Sequence, residues 1–296
     1  MNQVLVKMLP LLPRSTVYSV AKRYIAGETL YDAVCVLQQL NSKGVFGTLD
    51  VLGEFVRDRN RATESTKLVE QMLAAIYKNQ LNSGVSVKLT SLGMDIDEEF
   101  CFSNLLKLVE LSRQYQRFLR IDMENSPYTT RTLNFYHKLR EQGFDNTGVV
   151  IQACLRRSEA DVLALAPLKP SVRLCKGIYI ESENIAFRGR VEVQENYKKL
   201  LQLLFENGMH VAIATHDDVL IDFACKYISA NSIAKNRYEF QMLLGVCESK
   251  RDELVQQGYR VRVYVPFGRD WYGYSVRRLK ENPEIAGHVF RAIFKR

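Results

Sequence analysis

No two of the six cysteines form a CxxC pair; they are dispersed from Cys35 to Cys247. That spacing supports neither a disulfide framework nor a zinc site. Cys154 and Cys175 fall inside apolar runs and read as small core residues. None of the four histidines has a second ligand at metal-binding spacing, so no metal is expected. No apolar run reaches the roughly 20 residues of a membrane span. The apolar start, MNQVLVKMLPLLPRS, carries Lys7, is broken by Pro10 and Pro13, and lacks a small-residue cleavage site. No zinc-finger, basic-zipper or RRM-type pattern accompanies the formal charge of +8. The 41 basic residues are scattered among acidic neighbours, which argues against nucleic acid and leaves an anionic ligand or an anionic membrane surface as partners. With no disulfide pattern, a reducing cytoplasm is the simplest home.

What the chain has is enough material for a large core. Its 296 residues, 47% of them hydrophobic, fit one large α/β domain without disulfide support. Residues 15–44 read as helical, with Leu30, Ala33, Val34, Leu37 and Leu40 on one face and Gly44 as a stop. Short β-like runs then recur: GTLDVL from Gly47, VSVKL from Val85, FLRID from Phe118, VVIQA from Val149, VRLC from Val172, VAIA from Val211, FQMLL from Phe240 and VRVY from Val261. Helical stretches such as STKLVEQMLAAIYKNQL and ENYKKLLQLLFENG fill the gaps. Strands alternating with helices imply a parallel sheet, and eight such units in about 250 residues fit a (β/α)8 barrel. An open doubly wound sheet is the alternative, although no GxGxxG follows the first run.

Polar residues cluster where these runs end. Lys88, Asp122, Gln152 and Arg173 lie within or at the C-terminal ends of their runs; Thr215, His216 and Asp217 follow VAIA, and Tyr264 closes VRVY. A barrel gathers those ends on one face, where active sites lie. After the eighth run, Pro266 and Gly268 mark a loop, Asp270 is a candidate N-cap, and Pro283 can stop a helix. In that helix Tyr274, Arg277, Arg278 and Glu281 fall at i, i+3, i+4 and i+7, on one face. Paired guanidiniums bind a carboxylate or phosphate through directional N–H donors. Glu281 either orients one arginine or contacts a substrate amine.

YVPFGRDWYGYSVRRLKEN resembles the C-terminal signature of the proline dehydrogenases, flavoenzymes that oxidise L-proline. LDVLGE, VSVKLTSLG, RIDME, VIQACLRR, VRLCKGIYIE, ATHD and FQMLLGV each resemble a family block, in family order, so the likeness covers most of the chain. The resemblance implies a distorted (β/α)8 barrel with extra N-terminal helices and the last helix over the mouth. Residues 1–46 would be an N-terminal helical segment and 47–296 the flavin-binding catalytic barrel, one domain overall. It implies oxidation of L-proline to 1-pyrroline-5-carboxylate by hydride transfer to FAD. Electrons would pass to a quinone, with a cytoplasmic enzyme peripheral at the inner membrane surface. The form resembled is the single-activity one, so pyrroline-5-carboxylate dehydrogenase would be a separate partner.

Carried over residue by residue, Arg277 and Arg278 resemble the pair that binds proline's carboxylate, and Lys88 the strand lysine that contacts it. Tyr264 and Tyr274 resemble aromatic walls of the pocket. Glu281 and Asp122 resemble carboxylates that shape the site. Glu54 resembles an acidic gate that pairs with an arginine. Met123, Gln152, Arg173, Lys176, Gly177, Ile178, Thr215 and His216 resemble flavin contacts. The chain departs from the pattern at Cys154, where an aromatic is frequent, and at Ile178, where a smaller residue is common.

The chemistry asks for these parts. Removing hydride from a carbon beside nitrogen needs an electron sink that no side chain supplies, hence a flavin. A cation such as Arg173 or Lys176 near the flavin edge that gains charge would stabilise the reduced state. Cations around the substrate carboxylate favour the neutral amine. Asp122 is either a base or the holder of a lysine or arginine. The other readings are a flavin barrel of the methylenetetrahydrofolate reductase type, and a catalytically silent anion-binding or nucleic-acid-binding barrel.

Overall fold

The computed structural model describes residues 17–18 and 21–275. The expected 15–44 helix is interrupted. The chain is helical at 17–18 and 21, turns at 22–24, and restarts as α1 (Leu30–Ser42). Two local features cause the break. Gly27 takes a φ of 138°, which an L side chain resists. Thr29 and Asp32 then form a reciprocal capping box that starts α1 afresh. Ala33, Leu37 and Leu40 bury the inner stripe of α1.

Among the described residues, eight strands close into a parallel barrel in sequence order. They are β1 (Phe46–Val51), β2 (Ser83–Val87), β3 (Leu119–Ile121), β4 (Thr147–Gln152), β5 (Ser171–Cys175), β6 (His210–Ala214), β7 (Tyr238–Leu243) and β8 (Val261–Phe267). Closure is by β1 on β8, in register from Phe46↔Arg262 to Val51↔Phe267. Strand β8 runs further than VRVY suggested. Pro266 pairs with Asp50 inside the strand, and the chain leaves the sheet only at Gly268.

Helices α2 (Arg59–Lys78), α3 (Glu98–Gln114), α4 (Ser126–Glu141), α5 (Ser158–Leu165), α6 (Arg190–Glu206), α7 (Asp218–Ala230) and α8 (Glu248–Gln256) alternate with the strands. Their starts are chemically marked. Asp58, Asp97 and Asp217 cap α2, α3 and α7 by accepting backbone N–H groups. Helix α2 buries Ala62, Thr66, Val69, Met72, Leu73 and Ile76, a stripe at helical period. These apolar faces cover the outside of the barrel, where the main core sits.

The inside of the barrel is polar. Asp50, Ser86, Arg120, Asp122, Arg173, Glu239 and Gln241 are all buried. Beyond β8 a helical turn begins at Trp271, and Trp271 and Tyr274 pack with Val17, Ala21, Tyr24, Ile25 and Leu52. Residues from 17 to 25 thus buttress this helical turn. Arg277, Arg278 and Glu281 lie outside the described residues.

Candidate active site

The site is built in tiers from the floor of the barrel to its mouth. At the floor, Arg262 on β8 donates to Glu239 on β7 through Nε at 2.7 Å and Nη2 at 3.0 Å. A third donor of Arg262, Nη1, reaches the carbonyl of Gly47 on β1 at 2.6 Å. Burial alone would raise the Glu239 carboxyl, but Arg262 overrides it and brings the group down to about 2. Arg120 on β3 lies beside them and donates to the carbonyls of Val149 (2.8 Å) and Ser171 (2.5 Å).

Gln241 joins the floor to the next tier. Its amide Nε2 donates to Glu239 at 2.6 Å, which turns its oxygen toward Arg173. Arg173 is then held at all three nitrogens: Nε to Gln241 (2.6 Å), Nη1 to Asp122 (2.6 Å) and Nη2 to the Ser86 hydroxyl (3.1 Å). Its guanidinium lies 5.6 Å from the centre of the Tyr264 ring. A planar fork satisfied in three directions has one orientation.

At the mouth, Lys88 Nζ donates to Asp50 at 2.8 Å and to the Tyr264 hydroxyl at 3.3 Å, and lies 3.8 Å from Asp122. Burial favours the neutral amine, but Asp50 and Asp122 together hold Lys88 above the ordinary lysine value. Burial raises Asp50, and Lys88 is the largest influence against it. The Tyr264 phenol is pushed well above its ordinary value by burial and then by Asp50 and Asp122. Both oxygens of Asp122 are engaged: one by Arg173, the other by the Tyr264 hydroxyl at 3.4 Å and Lys88.

Tyr274 is buried near Tyr264, in the cluster with Leu52 and Trp271. Half-buried Glu54 follows β1 and lies near enough to Lys88 and Glu124 to raise the pKa of both. Met123 is buried in the main core. Gln152 donates to the carbonyl of Glu124 at 2.8 Å.

A second group gathers after β5 and β6. Gly177 has a φ of 98°, and a Cβ there would stand 2.2 Å from Cys154 Sγ. The backbone is therefore open only because the residue is glycine. Cys154 fills the space beneath it. Lys176 donates to Asp217 at 3.1 Å, and Gln194 donates to the same oxygen at 2.9 Å. Against burial, these two hold the Asp217 carboxyl below its usual range. Thr215 is buried, and its hydroxyl accepts the Asp217 N–H at 3.1 Å. His216 Nε2 accepts the Leu243 N–H at 2.9 Å, which puts the proton of a neutral ring on Nδ1. Ile178 is half exposed and Ile180 almost fully so.

Sequence reasoning missed Asp50, Ser86, Glu124, Glu239, Gln241 and Arg262. A signal was present. Glu239 and Gln241, Arg120 and Asp122, and Arg262 and Tyr264 each alternate at period two inside otherwise apolar runs. Such residues share one sheet face with the strand-end residues.

A closed parallel barrel whose interior and mouth carry interlocked arginine, lysine and carboxylate groups defines an enzyme of the (β/α)8 class. The sequence model of the proline dehydrogenase family matches residues 33–291. The chain is 40% identical over 276 residues to proline dehydrogenase 2 of Bacillus subtilis, covering 93% of this chain and 91% of that one. It is 34% identical over 288 residues to the proline dehydrogenase of Deinococcus radiodurans, covering 96% and 93%. Among solved structures, proline utilization A from Bdellovibrio bacteriovorus, inactivated by N-propargylglycine, superposes with a TM-score of 0.85 at 27% identity, covering 90% of this chain and 33% of that chain. The chain belongs to the proline dehydrogenase family, whose members are oxidoreductases of proline catabolism.

Proposed function

We propose that the protein oxidises L-proline to 1-pyrroline-5-carboxylate with FAD as its cofactor and a quinone as the final electron acceptor. Family membership supports the substrate. The observation that carries the reading is the three-way clamp on Arg173 beside the Lys88–Asp50 pair, which fixes one cation at the mouth and one in the tier beneath it.

The residues present fit a flavin. Gly177 offers backbone that a Cβ would close, Gln152 lies against it, buried Thr215 follows the next strand, and Arg173 and Lys176 supply positive charge. Bound there, the flavin would accept the two electrons and the hydrogen leaving the carbon beside nitrogen. Met123, Ile178 and His216 are the remaining assigned contacts. Everything else falls to the chain. Lys88, Arg277 and Arg278 would hold the substrate carboxylate and, by repulsion, disfavour the ammonium form of the amine. Lys88 and Arg173 are already matched by Asp50 and Asp122, so the further positive charge for an anionic substrate has to come from the arginine pair. Tyr264 and Tyr274 would wall the ring, Glu281 would shape the site, and Glu54 would close it. Asp122, with both oxygens engaged, would act by holding Arg173 rather than as a base.

No helix among the described residues is long and apolar enough to cross a membrane. Contact with a membrane surface is supported by Ile180 and Val191, two exposed apolar residues. A separate pyrroline-5-carboxylate dehydrogenase would take the product. The test is the anaerobic visible spectrum of purified protein before and after proline. Flavin absorbance that bleaches with proline is expected. A flavin indifferent to proline, or reduced instead by a nicotinamide nucleotide, would sink the reading.

A further inference from the structure

The segment that carries Glu54 is held by a chain of hydrogen bonds that crosses four strand ends. Phe55, the next residue, has a φ of 58°, a conformation that non-glycine residues rarely adopt. Such backbone persists only where its surroundings over-determine it. Here Thr90, which follows β2, does so twice. Its hydroxyl accepts the Phe55 N–H at 2.9 Å, and its carbonyl accepts the Val56 N–H at 3.2 Å. Thr90 is itself held by Glu124, which follows β3. The hydroxyl donates to one carboxyl oxygen of Glu124 at 2.5 Å, and the N–H to the other at 3.2 Å. Glu124 is anchored in turn by Gln152, at the end of β4. Thr90 and Glu124 are completely buried, so no water competes for these bonds.

The cost of burying Glu124 has no evident return in packing alone. A buried carboxyl beside Glu54 is destabilising unless it is hydrogen-bonded, and Thr90 supplies both bonds. What it does is fix the hydroxyl rotor of Thr90, so that the lone pair of that oxygen faces Phe55. The left-handed turn at Phe55 leaves its ring partly exposed, with its centre 6.0 Å from the Tyr128 ring. Glu54, one residue earlier, stays within electrostatic reach of Lys88.

We propose that Thr90, backed by Glu124, is a positioning residue for substrate capture, acting through the backbone of Phe55 on Glu54. The inference rests on the assignment of Glu54 to closing the pocket. Thr90 touches neither substrate nor cofactor in this scheme.

The test uses full-length Thr90→Val, Thr90→Ser, Glu54→Ala and the Thr90→Val/Glu54→Ala double variant. Thr90→Val removes the hydroxyl at nearly constant shape. It should raise the KM for proline about fivefold, the effect of losing the hydrogen bond that holds Phe55, with kcat little changed. Thr90→Ser should restore the KM. In the double variant the KM should match that of Glu54→Ala alone, because both changes remove one device. A Thr90→Val that lowers Tm but leaves the KM untouched overturns the inference and leaves the assignment of Glu54 standing. A Glu54→Ala that leaves the KM unchanged overturns the assignment of Glu54, and the proposal with it. Amide exchange in residues 53–56 gives a readout independent of turnover. Faster exchange in Thr90→Val than in Thr90→Ser is expected, and equal rates would refute the clasp.

Discussion

Replacing Lys88 by methionine should destabilise the protein by an amount that depends on pH in a defined way. Lys88 Nζ lies 2.8 Å from Asp50, which is almost completely buried. Without the lysine, Asp50 would be a buried anion whose remaining charged influence, Asp122, is also negative. Breaking a buried pair on one side typically costs about 3–5 kcal/mol. The structure also sets a ceiling, because Asp50 can escape by taking up a proton. Its ordinary value is 3.8, so protonation at pH 7 costs about 4 kcal/mol, at 1.36 kcal/mol per unit. At pH 5 the same escape costs only about 2 kcal/mol. The sign follows. In the variant the folded carboxyl titrates far above the unfolded one, so stability is greatest at low pH and is lost as pH rises. Chemical denaturation of wild type and Lys88→Met at matched pH values from 5 to 8 measures the difference, and subtraction removes titrations common to both. The difference should grow by roughly 1.4 kcal/mol per pH unit. Adding Asp50→Asn to the variant should recover most of the loss and flatten the slope. A difference that ignores pH, or a double variant no more stable than Lys88→Met, would refute the reasoning.

Other outcomes can be stated more briefly. Burial raises the Glu124 carboxyl from 4.5 to about 7, so the stability of wild type relative to Glu124→Gln is full below the lower value. It should be lost by about 3 kcal/mol as pH rises to the upper one, measured by denaturation, and a flat difference would exclude the titration. Either Arg277→Met or Arg278→Met should cut kcat/KM for proline about 30-fold or more while flavin stays bound, since a lost charged partner typically costs about 2–5 kcal/mol. Steady-state kinetics with both variants unchanged would reduce the pair to a solvated helix face. Gly177→Ala places a methyl 2.2 Å from Cys154 Sγ at a positive φ, so flavin content after purification should fall. Adding Cys154→Ala should recover only part of it, because the backbone strain of about 1–2 kcal/mol remains.

The architecture was open to sequence reasoning because each strand is a short apolar run and each helix carries a stripe at its own period. The eight runs recur as β1 to β8 within a few residues. The start of the chain misled, because apolar period alone does not register the backbone freedom of Gly27 or the cap at Thr29. Reading the strand ends found Lys88, Asp122, Arg173 and Tyr264, which the fold brings to one place. It passed over Asp50, although that aspartate sits inside GTLDVL, because one charge in an apolar run has no visible partner. Its partner, Lys88, is 38 residues away, and the pairing exists only once β1 and β2 lie side by side. Gln241 and Glu239 showed in the sequence only as a period-two alternation, without their partners. Their importance lies in what they hold, 68 residues distant in the case of Arg173 and 23 in the case of Arg262.

The polar thread through the barrel bears on how the chain reaches its native state. Arg262 binds both Glu239 and the carbonyl of Gly47, which ties the last strand to the first. Arg173, at the centre, draws its three partners from β2, from the end of β3 and from β7. An incomplete barrel would therefore leave these guanidinium and carboxylate groups solvated, with their mutual bonds unmade. An apolar interior would grow gradually more stable as strands are added. This one withholds most of its reward until the ring shuts. Long-range pairings of this kind slow folding, because loop-closure entropy is spent before the contacts form. They also favour cooperative assembly, because the interlocked bonds form together when the last strand meets the first.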